Sequence, residues 1–185
     1  MVGYNWMVAF AVSCLVLLSG MAMGHAFVKW IDTLPLSPLP EAVPVEVTGR
    51  TDDRAGWQLF AFILRNNFAV YVLLLFGLVS AGSVTFVILL GNGIAIGQVI
   101  GFARLAGMSN DTLIDLLLPH GVLELGTLCV AGAVGLQGFR FVLDLSNLGS
   151  GTLKSLRLGL VLGFGLCALT VAAVVEAFVT AELAG

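Results

Sequence analysis

Charge is what this chain of 185 residues has least of. Asp, Glu, Lys and Arg make up 10% of it and hydrophobic residues 59%, with mean hydropathy +1.06. A soluble domain carries about 25% charged residues, so this composition excludes an ordinary soluble fold. A bilayer can cover that much apolar surface, and the chain reads as an all-α, polytopic transmembrane helix bundle. Its eight Lys and Arg form no cluster, and the net charge is −3. That argues against nucleic acid as a partner and against a polybasic lipid site. Cysteine is also scarce. Cys14, Cys129 and Cys167 fall singly in apolar runs, without the spacing of a zinc or redox motif. There are two histidines, too few with the cysteines to suggest a metal centre of three or four ligands. No P-loop, nucleophile elbow or dinucleotide fingerprint occurs. The expectation is no metal, no cofactor and no catalytic residue.

Proline is confined almost entirely to one place. Pro35, Pro38, Pro40 and Pro44 crowd the stretch 29–56, where they oppose helix and favour an extended segment. This stretch divides the chain into a first transmembrane helix (1–28), a Pro-rich extramembrane loop (29–56) and a core membrane bundle (57–185). Val8 to Gly24 has the apolar character of a signal-peptide core, but no Lys or Arg precedes it. A retained first helix from about Trp6 to Val28 is expected.

The run Phe68–Ala106 is too long for one helix across about 30 Å of hydrocarbon at about 1.5 Å per residue. A turn at 77–83 is preferred, giving a helix from about Val84 to Leu105, with a break at Gly91–Gly93 as the alternative. Asp53–Asn67 suits either a helix lying in the interface or an extension of the next span. Asp111–Leu118 reads as a short amphipathic lead-in. Pro119 suits the first turn of a new helix ending near Leu136. A polar loop at Gln137–Ser155 and a last span at Leu156–Val179 complete the count: five spanning helices with one or two interfacial helices. The loop with Arg140, Lys154 and Arg157 is the basic one. By the positive-inside rule it is cytoplasmic, as is the N-terminus of this cell-membrane protein.

Against this apolar background, Pro119-His120-Gly121-Val122-Leu123-Glu124 stands out. His120 and Glu124 share a helix face about one turn apart, and ionisable groups at membrane depth usually mark a function or a partner. Three readings compete: a polar clamp between helices, a metal or proton site, and the polar floor of a cavity for a lipid or a partner's helix. Asn92 is an intramembrane amide between two glycines. Glu176 lies near the end of the last span, with Arg65 or His120 as candidate partners if it turns inward. Gly93, Gly97 and Gly101 recur every four residues, as do Gly159 and Gly163. Such stripes allow close helix approach, within a monomer or at a homodimer face.

Leu64-Arg65-Asn66-Asn67, Gly91-Asn92-Gly93 with Gly97, Pro119-His120-Gly121 with Glu124, Ala131-Gly132-Ala133-Val134-Gly135-Leu136 and Val175-Glu176-Ala177-Phe178 appear together and in that order. The set resembles the stage II sporulation protein M family of integral membrane proteins over about Arg65 to Thr180. The resemblance implies a multispan protein that works with membrane-anchored, peptidoglycan-remodelling partners in endospore formers and has no well-established catalysis of its own. It assigns no chemical role to Asn92, His120, Glu124 or Glu176. The leading expectation is a non-enzymatic scaffold or assembly partner of cell-envelope machinery, in contact with membrane lipid and with membrane or envelope proteins. The alternative is a small transporter or lipid-handling protein with its site at Asn92, His120, Glu124 and Glu176. An intramembrane metal-dependent hydrolase ranks third.

Overall fold

The computed structural model describes residues 5–34, 53–143 and 157–180. They form α1 (Trp6–Asp32), α2 (Asp53–Leu75) with a 3-10 turn (Phe76–Leu78), α3 (Ser83–Leu105), α4 (Asn110–Gly135), α5 (Gly138–Leu143) and α6 (Leu158–Val174), which runs on as a π-helical segment (Val175–Thr180). Five segments are long and apolar enough to cross a membrane: Trp6–Asp32, Gly56–Leu78, Ser83–Leu105, Gly121–Leu143 and Leu158–Phe178. Large apolar side chains such as Leu15, Phe62, Val87, Val122 and Leu160 are exposed on every one of them. So much exposed apolar surface is untenable in water and is what lipid requires.

Helix ends follow local chemistry. The Asn5 side chain caps α1 by accepting from the Val8 N–H at 3.2 Å. Ser109 caps α4 by accepting from Thr112 N–H at 3.1 Å. The long apolar run turns at the preferred place, between α2 and α3. Gly82 takes φ +87°, where a side chain would be strained, and its N–H reaches Gly77 O at 2.7 Å.

α1 and α3 run parallel and nearly touch backbone to backbone. Gly20 faces Gly93, Gly24 faces Ile94, Gly97 faces Met21 and Gly101 faces Val28. α4 runs antiparallel to α3, with Gly135 against Thr85 and Gly132 against Leu89. α6 runs antiparallel to α2, with Gly165 against Tyr71 and Phe178 against Gly56. The core at their meeting contains Tyr71, Leu74, Leu89, Leu128, Ala131, Val134 and Leu169.

Buried polar groups here are mostly spent on backbone. Tyr71 donates to Val161 O at 2.7 Å and Thr85 to Leu74 O at 2.6 Å. In hydrocarbon no water can replace such bonds. Tyr71→Phe is expected to lower stability by about 1 kcal/mol. Denaturant unfolding in detergent measures it; an unchanged midpoint would show that the bond contributes nothing.

Of the two readings of Asp53–Asn67, the extension of the next span is the one found, since the segment is the start of α2. Three other expectations need correction. Asp111–Leu118 is not a separate lead-in but the start of α4. Helix propagation through apolar sequence costs less than opening the backbone in lipid. Accordingly α4 continues through Pro119, which does not open a new helix, and α3 continues unbroken through Gly91–Gly93. Gln137–Ser155 is not all loop, since α5 occupies Gly138–Leu143. The Pro-rich stretch from Pro35 on and the segment holding Lys154 lie outside the described residues.

Candidate functional site

Asn67 and Glu124 form the polar contact at the heart of the bundle. Asn67 lies midway along the Gly56–Leu78 span, and Glu124 lies on α4 beside it. The Asn67 side-chain Nδ2–H donates to Glu124 Oε1, and both residues are half-buried. The bond joins α2 to α4, far apart in sequence, and satisfies one lone pair of a carboxyl group that lipid cannot solvate.

Glu176 joins this neighbourhood from α6. The π-helical segment packs on α2 and α4, where Ala173 and Ala177 meet Ile63 and Phe178 stacks edge-on against Trp57 at 5.2 Å. Glu176 is half-buried on this segment, which packs against the helix that carries Glu124. It forms no ion pair with Arg65, which is exposed on α2. His120 is one turn before Glu124 on α4, and its side chain lies outside the described residues.

Asn92, on α3, spends its amide within its own helix. Its Nδ2–H donates to Ile88 O of its own helix at 2.8 Å. His25 sits on α1 against Gly97 of α3. The two glycine stripes separate. A Cβ on Gly93 or Gly97 would fall 2.3 Å from Leu17 O or 2.1 Å from Met21 O, and one on Gly101 would fall 2.8 Å from Val28 Cβ. This stripe packs within the chain, so α1 already covers it. A Cβ on Gly159 or Gly163 would meet nothing within 4 Å among the described residues of the other helices, and both glycines are exposed. Of the two uses open to such a stripe, packing within the monomer is not what Gly159 and Gly163 do among the described residues, because α6 turns Val161, Gly165, Leu169 and Ala172 inward instead.

Sequence reasoning missed Asn67 as a site residue. The signal was present in Leu64-Arg65-Asn66-Asn67, at the edge of the apolar run Phe68–Ala106. With the helix begun at Asp53, the same amide falls at mid-depth.

These features define a five-span α-helical membrane protein whose interior is tied together by a carboxyl–amide bond. Within that class, the chain belongs to the stage II sporulation protein M family, whose sequence model matches residues 12–181. It is also similar to an uncharacterized protein of the archaeon Methanocaldococcus jannaschii, 33% identical over 78 residues, which are 42% of this chain and 44% of that protein. The chain thus matches less than half the length of that relative. No solved structure matches it.

Proposed function

We propose that this protein is a non-enzymatic membrane scaffold, an assembly partner of cell-envelope machinery that works through its lipid-facing helix surfaces. The observation that carries the reading is how the polar residues of α2 divide. Asn67 is bonded inside to Glu124, while Arg65 and Asn66, its immediate neighbours, face outward within the span. The inner bond holds the helices in place. The outer groups are costly in lipid unless something meets them. The family's implied work with membrane-anchored partners agrees with this reading. The basic residues Arg140 and Arg157 favour a cytoplasmic N-terminus.

The second reading, a transporter or lipid-handling protein, is favoured by two half-buried carboxyls, Glu124 and Glu176, on packed segments of the bundle, since polar groups within a bundle are how transporters build sites. Mass spectrometry of proteins and lipids that co-purify in mild detergent separates the two, with wild type, Arg65→Leu and Glu124→Gln compared. The scaffold reading expects a protein partner lost from Arg65→Leu and kept by Glu124→Gln. A specific lipid or solute lost from Glu124→Gln instead would favour transport.

A further inference from the structure

Arg65 is the charged residue furthest from explanation. It lies nine residues, about 13.5 Å along the axis, into the span that begins at Gly56. It is exposed and makes no hydrogen bond or ion pair among the described residues. It points away from the bundle, opposite the buried stripe of Gly56, Ile63, Tyr71 and Leu74. One turn to either side on the same strip are Ala61 and Ala69, both exposed and both small. Small residues flanking a polar one let a second helix come close and enclose it. The strip therefore sets a cation between two small residues, bordered by the exposed rings of Phe62 and Phe68.

From this we infer that the Ala61–Arg65–Ala69 face of α2 docks a transmembrane helix of another protein that carries an Asp or Glu at matching depth. The inference rests on the scaffold reading and names the chemistry of its partner. A carboxylate is the complement that satisfies a guanidinium in two-point geometry, and in lipid each charge removes the other's desolvation problem.

The other occupants fit less well. Copies of this chain inserted in one sense hold Arg65 at one depth, so a twofold dimer on this face sets guanidinium against guanidinium. The described carboxylates offer no remedy. Asp32, Asp53, Asp111 and Asp115 lie toward helix ends, Glu176 is half-buried in the segment that ends the last span, and Glu124 is already bonded to Asn67. A phospholipid phosphate lies at the interface, beyond the comfortable reach of a side chain this deep, and has no need of flanking alanines.

The test uses the full chain in phosphatidylcholine nanodiscs at neutral pH. The probes are synthetic Leu/Ala transmembrane peptides bearing one central Asp, Leu or Lys, and association is read by energy transfer. The Asp peptide is expected to bind wild type about tenfold more tightly than the Leu peptide. Arg65→Leu removes the preference, and Arg65→Glu transfers it to the Lys peptide. Arg65 is exposed, so both variants keep wild-type helix content and melting, which circular dichroism verifies.

Equal binding of the Asp and Leu peptides overturns the inference, as does an Asp preference that survives Arg65→Leu. Two further outcomes overturn it in favour of another occupant. One is phosphatidylglycerol enrichment that tracks Arg65 without a peptide preference, and the other is a peptide-free dimer that Arg65→Leu dissolves. If the peptides show no preference while partners still co-purify, this inference fails and the scaffold reading stands. If neither is seen, both fall.

Discussion

Gly97→Val is expected to detach α1 from α3 and lower stability by about 3 kcal/mol, the upper end of the usual cost of overpacking. The obstacle is backbone. A Cβ at Gly97 would lie 2.1 Å from Met21 O, 2.8 Å from Met21 C and 2.9 Å from His25 N. Gly24 is hemmed in the same way, 2.1 Å from Ile94 O. A side chain in the way could change rotamer, but a helix backbone can only move as a whole, which would also pull apart Gly20–Gly93 and Gly101–Val28. Even alanine meets this clash, despite its advantage of about 1 kcal/mol over glycine in helix propensity. Gly163→Ala is the matched control. A Cβ at Gly163 would meet no described residue of another helix within 4 Å, so the propensity gain is unopposed and the variant should be as stable as wild type or more so. Unfolding by denaturant in detergent measures both. Equal midpoints for Gly97→Val and wild type would show that the two helices do not meet as described.

Asn67→Leu is the second large effect, expected to lower stability by about 2 kcal/mol, because it leaves the Glu124 carboxyl half-buried without its donor. Glu124→Gln keeps an acceptor oxygen for the Asn67 amide, so its cost should stay under about 1 kcal/mol. The double change Asn67→Leu, Glu124→Leu removes both polar groups and should recover most of the loss, since replacing both partners with apolar groups is close to neutral. A double-mutant cycle on this pair should give a coupling of about 1–2 kcal/mol. Additive single effects would mean that the bond contributes nothing to holding α2 on α4.

Much of the fold was readable from composition and hydropathy, because lipid makes strong demands on sequence. Five spans, the turn at 77–83 and the helix after it follow from apolar run length and from glycine at a left-handed position. Helix starts were harder to read. Asp53–Asn67 and Asp111–Leu118 contain enough polar residues to suggest separate interfacial pieces, yet propagation from the adjoining apolar runs carries them into α2 and α4. For Asp53–Asn67 both readings were open, and that ambiguity hid Asn67, whose depth depends on where its helix begins. Glu124 was legible as an ionisable residue in an apolar run, but its partner was not, since pairing across helices depends on register. The glycine stripes show the same limit. Gly93–Gly97–Gly101 and Gly159–Gly163 have one spacing, and only rotation of each helix decides that the first packs on α1 and the second faces out.

The central claim is that the polar interior holds the bundle while the outer face of α2 does the protein's work. The most direct test is the stable double variant Asn67→Leu, Glu124→Leu, with protein partners quantified after mild solubilisation. The account predicts that the partners bound by wild type remain bound, at wild-type yield, although the entire inner pair is gone. Loss of those partners, or of a bound solute, from a double variant that melts like wild type would place the function inside the bundle and contradict it.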